Sequence, residues 1–139
     1  MTNIKNVLIW LYENDRFKIY SHCEYTYLKD KESCKLHDDW EKDDDNSIGW
    51  IYGEPTDALI FNDNRYAVVV GSGIYIYDID KRKLEQFYNE PDNILWISAV
   101  YQDDTFDDKN KEFRIVTHEN DSSSIYKFDI ETKELEKIK

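Results

Sequence analysis

His22 and Cys23, with Cys34 and His37, are the first residues whose types could act together, and the chemistry they suggest is zinc coordination. Their spacing argues against it. Neighbours on a strand point to opposite faces, so His22 and Cys23 cannot readily share one ion, and Cys34 with His37 still lacks partners. The carboxylates of residues 38–45 invite calcium, but "DDDNSIGW" has no alternating ligands and no closing Glu, and "DDKNKEF" at 107–113 lacks the Gly of a calcium loop. Ser72 in "VVVGSGIYIY" is framed by Gly, yet a nucleophile elbow needs strand, turn and then helix, and here a strand follows. Ser72 therefore reads as a hairpin tip. His22, His37 and His118 have no flanking nucleophile pattern, the acids lie in charged runs that cannot tune a pair for acid–base work, and four Gly build no phosphate cradle. The chain is expected to be no enzyme, with no catalytic, cofactor or metal-binding residue.

What remains is charge. Residues 38–45 hold Asp38, Asp39, Glu41, Asp43, Asp44 and Asp45 against one Lys, and residues 103–108 add Asp103, Asp104, Asp107 and Asp108. These two stretches carry −9 of a net −12, so the other 125 residues are close to the balance of an ordinary soluble surface. Aromatics are interleaved with the acids: Trp40 sits inside the first cluster, Trp50 and Tyr52 follow it, and Phe106 lies between Asp104 and Asp107. Charge runs usually do no more than solvate a loop, but aromatic anchors ringed by charge are what tight protein interfaces use. The twelve residues Asp38, Asp39, Trp40, Glu41, Asp43, Asp44, Asp45, Asp103, Asp104, Phe106, Asp107 and Asp108 are the expected partner-binding set. A surface of this sign repels phosphate backbones and anionic lipid, so neither nucleic acid nor membrane is an expected partner, and a basic protein is.

The elements that must hold these residues are strands. Eleven Tyr, six Phe and four Trp suit a pleated, half-buried surface, and 139 residues suffice for one domain with its own core. Apolar runs alternate with Asn, Asp and Gly turns: "NVLIWLY" and "RFKIYSH" flank "END", "ALIF" and "RYAVVV" flank "NDN", and "IYIYDI" follows "GSG", where Gly71 and Gly73 are expected to supply positive φ. Residues 84–88, "NILWISAVYQ", "EFRIVTHE", "SIYKFDI" and "ELEKI" continue the series, and one of Trp50 and Tyr52 is expected to begin a further strand and point inward. No stretch has helical spacing with caps, and residues 29–47 read as a long loop or a short helical turn. The run from Val7 to Tyr12 is too short for a signal or a membrane span, and Cys23 and Cys34 imply no disulfide framework, so a cytoplasmic monomer is expected.

"IYIYDIDKRKLEQF" (74–87) and "IYKFDIETKELEKI" (125–138) align without gaps at an offset of 51 residues. Each follows another strand and a turn, giving a meander of about three strands that resembles a β-propeller blade, although hairpin grammar is repetitive enough to produce such a match by itself. At most three such units fit the chain, too few for a ring. The expected fold is all-β and mostly antiparallel, a single domain (1–139) built as a twisted meander sheet or a sandwich of β-hairpins, propeller-blade-like but not a closed propeller.

A small acidic chain with no active site and a concentrated negative face resembles the bacterial immunity proteins of contact-dependent growth-inhibition systems. That resemblance implies a protein that neutralises a basic cognate toxin, commonly a nuclease, by covering its active site with acidic loops. Two alternatives stand beside it. One is a nucleic-acid mimic that inhibits a DNA- or RNA-binding enzyme, although regular carboxylate spacing is missing. The other is a carbohydrate- or peptide-binding module, which requires exposed Tyr and Trp.

Overall fold

The computed structural model describes residues 9–22, 24–31, 47–51, 53–102, 111–119 and 121–139. Among them the fold is all-β, with twelve strands, no helix, and three four-stranded antiparallel sheets, none closed into a barrel. Sheet 1 runs β1 (Ile9–Glu13), β2 (Phe17–His22), β3 (Tyr25–Asp30), β4 (Ser47–Trp50). Sheet 2 runs β5 (Asp57–Ile60), β6 (Tyr66–Gly71), β7 (Gly73–Asp78), β8 (Lys83–Phe87), and sheet 3 runs β9 (Ile97–Tyr101), β10 (Glu112–Glu119), β11 (Ser122–Asp129), β12 (Leu135–Lys137). Each sheet is a simple meander, one strand longer than the repeat in the sequence suggests. β5 lies against both β1 and β9, so the first strands gather at the centre, as propeller blades place theirs.

Sheet 2 is the middle layer and is covered on both faces. Leu59, Val68, Val70, Ile74 and Ile76 pack with Ile97, Val100, Phe113, Ile115 and Phe128 of sheet 3. Ala58, Ile60, Ala67, Val69 and Tyr75 pack with Phe17, Ile19, Leu28 and Ile48 of sheet 1. This is why "AVVV" reads as an unbroken apolar run: both sides of the strand are interior. Rings fill the space between sheets 2 and 3 further out, Phe128 standing 5.1 Å from Phe87 and 5.3 Å from Phe113. Polar groups join the two sheets near the centre, where Asp57 accepts a 2.9 Å bond from the Val100 amide and the Thr56 hydroxyl lies 2.6 Å from the Ile97 carbonyl.

The repeat at an offset of 51 is structural: it is the β7–β8 hairpin of sheet 2 and the β11–β12 hairpin of sheet 3. In the first, the Asp78 carboxylate accepts from the Lys81 amide at 3.1 Å; in the second, Asp129 accepts from the Glu131 and Thr132 amides at 2.8 and 3.2 Å. The main-chain carbonyls of Asp78 and Asp129 each accept a 2.7 Å bond from the residue four places on, Arg82 and Lys133, both in the left-handed region (φ 55° and 62°). A basic residue just before the second strand completes each unit. Arg65 grips Asp78 through two bonds of 3.0 and 3.1 Å, Arg16 grips Asp30 at 3.4 and 3.2 Å, and Lys111 reaches instead to Asp63 of the neighbouring hairpin at 3.4 Å. Burial opposes ionisation of Asp78, but the bond from Arg65, the Lys81 amide and the nearby positive charges outweigh it, and the carboxyl titrates below its usual range.

Three sequence expectations need adjustment. Gly71 has no positive φ; it is small because a Cβ there would stand 3.1 Å from the Glu54 carbonyl, whereas Gly73 does lie at φ 104°. Trp50 ends a strand and is half exposed, so it is not the residue that begins a strand and points inward, and Tyr52 lies outside the described residues. β9 starts only at Ile97, because Leu95 is held by bonds to Tyr88 and Gly73 in a loop.

Phe128→Ala removes the ring packed against both Phe87 and Phe113 and is expected to cost about 3–5 kcal/mol in denaturant unfolding. Asp78→Asn tests the paired turn through pH. The native pKa is depressed, so the pair's stabilisation is present above the unfolded carboxylate value of about 3.9 and is lost as pH falls through the lower native value. The variant should be less stable than the parent at neutral pH, and the gap should close in acid; a gap independent of pH would rule the ion pair out as its source.

Candidate functional site

The stack has two ends of different character. At one end lie the β1–β2 and β5–β6 turns, joined by a 3.0 Å bond from Asn14 to Asn64, with Lys31 donating to the Asn14 carbonyl at 2.7 Å and Lys111 reaching Asp63. At the other lie the tips of β2–β3, β6–β7 and β10–β11 and the chain entering β5 and β9. Among the described residues, the turns of the second end carry no Lys or Arg. The sequence has no Lys or Arg in 19–28, 43–64, 66–80, 84–108 or 115–126, and these runs contain the described parts of the second end. At the first end Arg16, Lys31, Arg65 and Lys111 are matched with Asp30, Glu13, Asp78 and Asp63.

The second end presents acids and rings. Glu24, Glu54, Glu90, Asp92 and Asp121 belong to its turns, and Trp96, Trp50 and Tyr25 are exposed to 56%, 50% and 49%. Tyr25 and Trp50 face each other across β3 and β4. The Glu24 carboxylate accepts from the Gly53 amide and its carbonyl from the Ile51 amide at 2.8 Å, which fastens the turn after β4 to the tip of sheet 1. Ser72 bridges to Trp96, so the indole stands beside the β6–β7 tip.

A groove of about 240 Å³ opens there between sheets 2 and 3, with Glu54, Thr56, Ser72, Trp96, Ser98 and His118 among its walls. Its hydroxyls are largely committed, that of Thr56 to the Ile97 carbonyl and that of Ser98 to the Val116 carbonyl at 3.1 Å. His118 is exposed with Nδ1 2.8 Å from Ser123 Oγ, and no hydrogen bond joins it to Ser72, which sits at a strand-to-strand tip with no helix after it. The arrangement offers apolar contact, an aromatic face and a carboxylate. Among the described residues no three His, Cys, Asp or Glu side chains are grouped closely enough to hold a metal ion.

None of the twelve sequence-expected contact residues, Asp38 to Asp45 with Trp40 and Glu41, and Asp103 to Asp108 with Phe106, lies within the described residues. The strand ends that bracket them, Lys31, Gln102 and Lys111, belong to the first end, opposite the groove. Trp96, Glu54 and His118 were missed as a site because they are distant in sequence, although the gaps in the Lys and Arg distribution pointed toward this end. No family model and no curated protein matches the chain. Among solved structures, the crystal structure of the tricorn protease is similar with a TM-score of 0.55 at 11% identity, over 92% of this chain and 12% of that one, a likeness of fold that spans a small part of the larger protein.

A variant keeping Trp96 as its single tryptophan, with Trp10, Trp40 and Trp50 replaced by Phe, tests the local potential. Relative to a free tryptophan amide, its fluorescence should be quenched more strongly by caesium and less by iodide at low salt. Equal relative quenching would mean that the end is not anionic.

Proposed function

We propose that the protein is a non-catalytic binding protein that engages a basic macromolecule, an inhibitor of the toxin-immunity kind, and that the cation-poor end makes the contact. The observation that carries this reading is the coincidence of exposed Trp96, Trp50 and Tyr25 with the end whose described turns contain no Lys or Arg. Carboxylates there attract and orient a cationic surface, and the rings supply the desolvated centre that gives a complex its lifetime.

The test begins with capture of a partner at low salt and measurement of its association. The captured protein should be basic, and its association rate should fall about tenfold or more between about 50 and 200 mM salt. Trp96→Ala should speed dissociation about tenfold or more, and reversal of Asp43, Asp44 and Asp45 to Lys should change affinity less. The opposite ranking would transfer the contact to the acidic segments; a partner that is not basic, bound without salt dependence, would sink the inhibitor reading.

A further inference from the structure

The groove beside Trp96 has features that select among cationic groups. At about 240 Å³ it is smaller than the roughly 300–1,000 Å³ of sites for drug-sized ligands, so one side chain suits it better than an oligosaccharide. A sugar ring would need hydroxyl partners, and the Thr56 and Ser98 hydroxyls already serve backbone carbonyls. Trp96, 56% exposed, lines the groove with an indole, the best aromatic surface for a cation, and Glu54 in the same lining is a carboxylate with no hydrogen bond or ion pair among the described residues. The remaining lining is Gly53, Gly71 and Ile97 beside Ser72 and His118, a mostly apolar surface on which a strongly hydrated ammonium gains little. A guanidinium is planar, more weakly hydrated, and able to stack on the ring while donating to a carboxylate at its edge.

We propose that this groove receives a single arginine side chain of a basic protein, its guanidinium laid over the Trp96 ring and its edge turned to Glu54. The proposal rests on the basic-partner reading and adds the anchor residue that the partner must present. Arginine is chosen over lysine because stacking survives where simple charge attraction is screened.

Calorimetric titration of the intact protein with octa-arginine and octa-lysine peptides, at low salt and at about 150 mM, separates stacking from general attraction. The wild type should bind octa-arginine about five- to tenfold more tightly than octa-lysine, and the preference should persist at the higher salt. Trp96→Ala should bring the ratio close to one while leaving octa-lysine binding within about twofold, Trp96→Phe should keep part of the preference, and Glu54→Gln should weaken octa-arginine more than octa-lysine. Unchanged far-UV circular dichroism and unfolding midpoints establish that the variants fold. If Trp96→Ala leaves the ratio unchanged, the arginine site is overturned and the basic-partner reading stands. If neither peptide binds at low salt, both fall. Perturbation of Trp96 emission by methyl α-glucoside, with no arginine preference, would overturn the site in favour of a sugar.

Discussion

Burial of sheet 2 on both faces is the constraint from which the rest of the molecule follows. A meander with one apolar face could pack as half of a two-layer sandwich, but β6 and β7 have side chains that need an interior on either side, with Val68, Val69, Val70 and Ile74 fully removed from solvent. Two further sheets are required to cover them, and three meanders in sequence supply those layers with short connections. The two core clusters of sheet 2 are therefore separate bodies of apolar contact divided by its backbone.

That layering also decides where charge can go. Strand interiors are occupied by the core, so ionised groups collect at the two ends of the stack and on the outer faces. At one end each β-turn and the following hairpin bring a cation and an acid together, as in Arg65 with Asp78 and Arg16 with Asp30, and the charges neutralise one another as they brace the turns. At the other end the tips have acids and, among the described residues, no Lys or Arg in the same turns, beside rings that the packing leaves partly exposed. One end works as a set of internal ties, and the other is left with unbalanced charge and apolar surface, a combination suited to a partner.

The strands most legible in the sequence were those whose neighbours leave a regular trace. β2, β5 to β8, β10 and β11 show apolar runs or alternation bounded by Asn, Asp or Gly, and β7–β8 and β11–β12 even share residues at matching positions. β4 was not legible, because "SIGW" is four residues with a Gly at its centre and becomes a strand only through pairing with β3 and burial of Ile48. The role of Gly49 is likewise set by a distant residue, since a Cβ there would stand 2.8 Å from the Leu84 side chain. The acidic stretches drew the sequence reading because dense local charge is visible in one dimension, whereas the absence of cations from five separated runs becomes a pattern only when the runs converge.

The sequence by itself determined the class of the fold, its antiparallel hairpins, its repeat and its acidity, because alternation, turn chemistry and composition are local properties of a chain. Tertiary structure alone decided that the hairpins form three stacked sheets, that Asp78 and Asp129 serve the same turn in two of them, and that Trp96, Glu54 and His118 line one groove. The physical reason is distance along the chain: a groove between sheets is made by residues 53–56, 71–72, 96–98 and 118, and only packing of the layers brings those segments within reach of one another.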